Sequence, residues 1–315
     1  MKKTIFALLT GLALLLGGCC GETARPSEET PPVQTAVCAD AAIRLMVKTE
    51  NGVQELGLQD YLAGVLLAEM PGDFAPEALK AQAIAARTYA LRKADTARHP
   101  DAHVCSQSSC CQGYLPLERC DADLAEKLLQ AVRQTDGLVL TYEEKLIDAT
   151  FFSCSGGRTE AAVAVWGGEV PYLQAVDSPG EEAAPVYTEL LCWSAGELRQ
   201  LLAAALPEAV LPEQPTDWFT ELVYTPGGGI ARLKVGGVTL KGTQLRQILG
   251  LRSTRLQLEV SEEEIRITSY GYGHRVGLSQ YGAQAMALEG KSCREILLYY
   301  YRGTQLHRLQ PYEQN

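Results

Sequence analysis

The stretch YLAGVLLAEMPGDFAPEALKAQAIAARTYAL, Tyr61–Leu91, reads as two helices joined by a sharp break. In the first, Leu62, Val65 and Leu66 recur at helical spacing and mark a buried stripe. Glu69 falls seven, four and three residues after them, so it lies on the same apolar face. A carboxylate there is costly unless it is paired or protonated. Pro71 disfavours helical geometry at Met70 and ends the helix, leaving Glu69 in its last turn. The carbonyl end of the helix dipole works against negative charge at that place. Desolvation and dipole together push the carboxyl pKa upward, the condition a general acid needs near neutrality. The competing reading is a capped or salt-bridged acid, with Arg87 as its partner.

The second helix starts at Pro76, a first-turn residue, with Glu77 just after it. Ala78, Ala81, Ala83, Ala85, Ala86 and Ala90 allow a neighbouring element to approach closely, and Arg87 and Tyr89 are the bulky polar members near the end. Packing accounts for the alanines but not for Glu69.

This segment resembles the signature of the stage II sporulation protein D family of peptidoglycan lytic transglycosylases. The resemblance extends to ATFFSCSGGRTE (Ala149–Glu160), to Gly242–Thr254 and to YGYGHRVGLSQYGAQAMALEG (Tyr270–Gly290), and spans about Cys38 to Leu306. The family's catalytic glutamate sits in the matching Glu-Met-Pro, which implies that role for Glu69.

At the N-terminus, MKKTIFALLTGLALLLGGCC combines Lys2 and Lys3, an apolar run from Ile5 to Leu16, and small residues before cysteine. The run is short for a membrane span and has the form of an export signal, residues 1–18. Leu16-Gly17-Gly18-Cys19 resembles a bacterial lipobox, which makes Cys19 the expected lipidated residue of an extracytoplasmic, membrane-anchored lipoprotein. The alternative is an uncleaved signal anchor. Residues 19–37 read as a solvated tether rich in Glu, Pro, Ser and Thr. Residues 38–310 form the expected catalytic domain, about 280 residues from Cys38 onward and enough for one large domain or two closely packed lobes.

A net charge of −10 argues against nucleic acid as a partner and offers no attraction for anionic polymers. Glycan recognition then rests on hydrogen bonds and aromatic stacking, for which the 14 tyrosines supply rings.

HPDAHVCSQSSCCQGY, His99–Tyr114, is a dense cluster of soft ligands. Cys105, Cys110 and Cys111 with His99 or His103 offer enough donors for a tetrahedral metal site, although the spacing is not that of a zinc finger. Some members of the resembled family bind zinc here through paired cysteines and histidines. Cys105 and Cys111 match the cysteines, His99 one histidine, and Cys110 replaces the other. Disulfides with Cys120, Cys38 or Cys154 are the competing reading.

Asp123–Thr135 reads as a helix, and Leu138–Tyr142 and Leu146–Phe152 as strands. Ser153–Glu160 is a Gly/Ser turn without the lysine of a phosphate loop. The resemblance makes it a cleft wall in which Ser153 and Ser155 hold sugar. Val186–Pro212 carries helical stretches, including Ala195–Ala205 capped by Ser194, and the region through Thr268 reads as scaffold. In Tyr270–Gly290, Gly271, Gly273 and Gly277 permit tight turns around His274, Ser279 caps a helix, and Ser292 with Glu295 forms a capping box for the last one. The family pattern places His274, Ser279, Gln280 and Tyr281 along the cleft, and Arg87 is expected with them as a substrate contact. Arg275 stands where the family usually has glycine, which implies altered loop geometry or an altered groove.

The expected fold is α+β, a mixed sheet assembly with the paired helices beside a glycan groove. The expected activity is cleavage of the bond between N-acetylmuramic acid and N-acetylglucosamine, Glu69 serving as acid and then base to close a 1,6-anhydro ring. No second catalytic carboxylate is clear, and a hydrolase would need one, with Asp73, Glu77, Asp148 and Glu160 as the candidates. The resemblance implies glycan strands lacking stem peptides as substrate, a cell-wall amidase as working partner, and a role in engulfment. A non-catalytic amidase enhancer or glycan-binding scaffold on the same fold is the alternative.

Overall fold

The paired helices form α1 (Leu58–Glu69) and α2 (Pro76–Ala94) in the computed structural model, which describes residues 39–96 and 98–310. Leu62, Val65 and Leu66 have no exposed surface. Met70 leaves the helix in extended geometry (φ −119°, ψ 138°), as the following proline requires. Ala78, Ala81, Ala83, Ala85, Ala86 and Ala90 of α2 are fully buried, so the middle of this helix is enclosed by the elements around it.

Ahead of the pair, β1 (Arg44–Thr49) and β2 (Gly52–Gly57) make the hairpin that Asn51-Gly52 announces. β3 (Val104–Cys105) joins β1 in parallel, and α3 (Ala122–Gln134), β4 (Leu138–Tyr142), β5 (Lys145–Leu146), β6 (Phe151–Phe152) and α4 (Ala162–Trp166) follow. The chain continues through β7 (Thr188–Ser194), α5 (Ala195–Ala205), β8 (Phe219–Tyr224), β9 (Ile230–Val235) and β10 (Val238–Lys241). Next come α6 (Gly242–Leu249), β11 (Arg255–Val260) and β12 (Glu264–Tyr270). β13 (Leu278–Ser279), α7 (Gln280–Leu288), α8 (Cys293–Tyr300) and β14 (Gln305–Arg308) return to the first half. The sheets are small, in the orders β2-β1-β3, β14-β4-β5, β13-β6, β10-β9-β8 and β11-β12-β7. The class is α+β.

Two apolar cores underlie this layout. One gathers α1 and α2 with Leu128 and Val132 of α3, Leu140 of β4, and Ile296, Leu297 and Tyr300 of α8. The other joins Leu198 and Leu202 of α5, Trp218, Leu233, Leu245 and Leu249 with Ile265 and Ile267 of β12. Among the described residues no helix is long and apolar enough to cross a membrane. The expected export signal, the lipidation site Cys19 and the tether lie outside the described residues.

Two expected elements are corrected. Leu146–Phe152 is not one strand: Lys145–Leu146 turns back on β4, while Phe151–Phe152 pairs in parallel with β13. The chain changes sheets between them, and this places Asp148 at the mouth of the site described below. Thr188–Ser194, expected within helical sequence, is a strand paired to β12 over its whole length, and its exposure alternates residue by residue. Ser194 then caps α5 through a full capping box.

Arg275 adopts the left-handed backbone (φ 65°) in which glycine is the easy residue. The turn is therefore kept, and the side chain acts as a clamp. Its Nε donates to Ser155 O at 2.9 Å, and its Nη2 to Arg158 O and Gly227 O, both at 2.7 Å. Nη1 pairs with Glu160 Oε1 at 3.1 Å, both side chains being buried. The clamp ties the Ser153–Glu160 turn to the loop between β8 and β9.

Candidate active site

Glu69 ends α1 half-buried, with no cationic partner among the described residues. The salt-bridge alternative fails because Arg87 is engaged elsewhere. Its guanidinium is fully buried and grips Asp40, with Nε at 2.9 and 3.0 Å and Nη2 at 2.6 Å. Burial raises the Glu69 pKa, opposed by the Gly113 N–H, which donates to Oε1 at 2.5 Å, and by the Gln280 amide. Gln280 is 3% exposed, and its Nε2 makes no hydrogen bond of normal geometry within the protein. An acid of raised pKa thus sits beside an amide with donor capacity to spare.

Both face a groove of about 880 Å³. Ala68 and Glu69 of α1 and Tyr89 and Lys93 of α2 line one part of it. The 148–153 segment, including Ser153, and the Tyr272–His274 turn line another. Trp166 and Tyr272 are 48% and 45% exposed, leaving part of each ring open to a ligand, with the Arg252 guanidinium over Tyr272 and His274 against Trp166. His274 lies between aromatic neighbours, edge-on to Phe152 with centroids 5.6 Å apart and tilted against Trp166 at 5.4 Å. Burial, then the charge of Arg246, lowers its pKa to about 4, so it is neutral at pH 7. Two further residues line the groove, of which sequence reasoning missed Arg246 and named Asp148 only as one candidate for a hydrolase's second carboxylate. Asp148 is a second carboxylate in the groove, held by Lys93 at 3.1 Å. Arg246 reaches it from α6, in the region read as scaffold.

Ser153, His274 and Gln280 line the groove as expected. Arg87, Ser155, Ser279 and Tyr281 do not. Ser155 and Ser279 are fully buried and serve Glu181, a buried carboxylate absent from the sequence reading. Glu181 Oε2 accepts from Ser155 Oγ at 2.6 Å, Ser155 N at 3.0 Å and Gly157 N at 3.2 Å. Its Oε1 accepts from Ser178 Oγ at 2.7 Å and from Ser279 Oγ. The amides and hydroxyls expected to hold sugar are therefore occupied, and they fasten the Gly/Ser turn to the start of α7. That bond sets Gln280, the next residue, into the groove. Tyr281 packs edge-on against Phe74 instead.

The soft-donor cluster assembles. One ligand atom from each of His99, Cys105, Cys110 and Cys111 lies within 4.8 Å of the others, which suits tetrahedral coordination at about 2.0–2.3 Å. His99 Nε2 is 3.3 Å from Cys111 Sγ and 3.8 Å from Cys110 Sγ. Burial and the neighbouring Cys105 thiol push Cys111 up to about 12, a penalty on the bare thiolate that a bound cation removes. His103 is not in the cluster, because its Nδ1 accepts from the Met46 N–H at 2.9 Å. No disulfide joins the described cysteines: the Cys120 thiol donates to Leu117 O and the Cys154 thiol to Glu181. Cys38 lies outside the described residues.

An open groove lined by an acid and by half-exposed aromatic rings is suited to an extended carbohydrate. Comparison with known proteins gives this class a family. The Stage II sporulation protein family model matches residues 47–142, the span that holds Glu69 and the soft-donor cluster. The chain is 34% identical to stage II sporulation protein D of Bacillus subtilis over 92% of its own length and 87% of the relative's. It is 36% identical to the Bacillus amyloliquefaciens protein of the same name, over 90% and 84%. Similarity also extends to an amidase enhancer of Bacillus subtilis, 29% identical over 78% of this chain and 40% of that one. The chain belongs to the stage II sporulation protein D family.

Proposed function

We propose that this protein is a peptidoglycan lytic transglycosylase of sporulation or cell-wall remodelling, with Glu69 as its acid and base. Glu69, protonated, donates to the glycosidic oxygen as the bond from muramic acid C1 to that oxygen breaks. The carboxylate so formed takes the proton of the C6 hydroxyl, and O6 bonds to C1 to close the 1,6-anhydro ring. One carboxyl performs both steps, while Gly113 N–H and Gln280 steady its charged form. Trp166 and Tyr272 offer ring faces for sugar, and Ser153 and His274 complete the wall. The observation that carries this reading is the raised pKa of a cation-free carboxyl on the groove floor.

His99, Cys105, Cys110 and Cys111 would hold one zinc ion, with a structural role because four protein ligands leave no open position. The substrate is glycan strands lacking stem peptides, and a cell-wall amidase is the working partner. Export with lipidation at Cys19 would place the enzyme outside the cytoplasm on the membrane.

Similarity to an amidase enhancer favours one second reading, a non-catalytic protein that stimulates an amidase. Purified protein incubated with isolated glycan strands separates the two. The transglycosylase releases soluble fragments unaided, whereas the enhancer releases none and only accelerates an added amidase.

A further inference from the structure

The groove is lined by three cations, Lys93, Arg98 and Arg246, and two carboxylates, Glu69 and Asp148, in a protein whose net charge is −10. Lys93 is matched by Asp148, and burial holds Glu69 toward its neutral form. Arg98 and Arg246 have no carboxylate partner among the described residues. Arg246 is the more constrained of the two. It is half-buried, and its Nε donates to Leu251 O at 3.1 Å, which fixes the guanidinium plane and leaves both Nη groups without a protein acceptor. Its charge reaches His274, and Tyr272 lies close enough to act on it in turn. Neither arginine contributes to the shift at Glu69, so this cation stands apart from the acid.

A desolvated guanidinium with its outer fork free is a carboxylate receptor. The sugar backbone of peptidoglycan carries one ionisable group, the lactyl carboxyl on C3 of muramic acid. That group is anionic when the stem peptide is absent and a neutral amide when it is present. We propose that Arg246 is the subsite that reads the free lactyl carboxylate, so that α6, packed in the second core, supplies specificity to an acid held by the first. The inference rests on the glycan reading given above.

Binding tests the subsite independently of cleavage. Full-length protein carrying Glu69→Gln is titrated with a muramic acid-containing tetrasaccharide in three forms: free lactyl acid, lactyl methylamide, and stem-peptide-bearing. The free acid should bind at least about tenfold more tightly than the methylamide, the scale of one charge-assisted fork contact. Adding Arg246→Gln should close that gap, and Arg246→Lys, a milder change that guards against misfolding, should narrow it. Equal affinity for acid and methylamide overturns the proposal, as does a gap that survives Arg246→Gln or stays full in Arg246→Lys. Peptide-bearing glycan that binds like the free acid in an Arg246-dependent way assigns the arginine to a peptide carboxylate and also overturns it. Fragment release by wild-type protein with no gap leaves the transglycosylase reading standing. A gap without fragment release leaves only the subsite.

Discussion

The Gly113 N–H donates to Glu69 Oε1 at 2.5 Å, joining the end of α1 to the loop that carries the soft-donor cluster. A Cβ at position 113 would lie 2.7 Å from that same oxygen, so the contact requires glycine. Gly113→Ala should displace the carboxyl by a fraction of an ångström to about one, and glycan release should fall by about 10²-fold. The check is a rate on isolated strands beside a thermal unfolding curve; an unchanged rate removes Gly113 from the account.

The cluster itself should carry about one metal ion per chain when the protein is purified without chelator, as a closed four-ligand site does. Chelation should lower the unfolding temperature, and added zinc should restore it. Elemental analysis decides the matter: no metal, with quantitative intrachain disulfides at Cys105, Cys110 and Cys111, rules the site out.

Arg275 and Glu160 should behave as a buried pair. Arg275→Ala leaves Glu160 charged and unmatched, at a cost of about 3–5 kcal/mol. Glu160→Gln added to it should recover part of that loss. Denaturant unfolding measures both, and an Arg275→Ala variant as stable as the parent contradicts the clamp.

These contacts mark where the sequence stopped being informative. Local rules located Pro71 as the end of α1, Ser194 as the cap of α5, and Ser292 with Glu295, because each partner lies within a few residues. Arg87, Ser155 and Ser279 were misplaced because their partners are distant: Asp40 is 47 positions from Arg87, and Glu181 is 98 from Ser279. Asp148 was one of four candidate second carboxylates with nothing local to single it out, and Arg246 carried no local signal. One reaches the groove through a change of sheet and the other from a different core.

His274 makes stability depend on pH. Its folded pKa of about 4 lies below the ordinary 6.5, so the unfolded chain binds the proton more readily. The contribution is full above about pH 6.5 and is lost as pH falls toward 4, at most about 3 kcal/mol. Arg246 disfavours the imidazolium, and Asp148 opposes that effect weakly. His274→Gln should flatten the pH dependence of unfolding across this window; an identical slope in the variant contradicts the assignment.

The central claim is that Glu69 breaks the glycosidic bond and closes the ring. The measurement is mass spectrometry of fragments released from peptide-free glycan strands by wild-type protein and by Glu69→Gln, which keeps size but removes the titratable proton. Wild-type fragments should end in 1,6-anhydro-N-acetylmuramic acid, one water lighter than hydrolysis products. The variant should fold and yield about 10²–10⁴-fold less, as loss of general acid–base catalysis predicts. Reducing ends would indicate hydrolysis, with Asp148 as the second carboxylate in the groove. Anhydro ends released by Glu69→Gln at the wild-type rate would contradict the account outright.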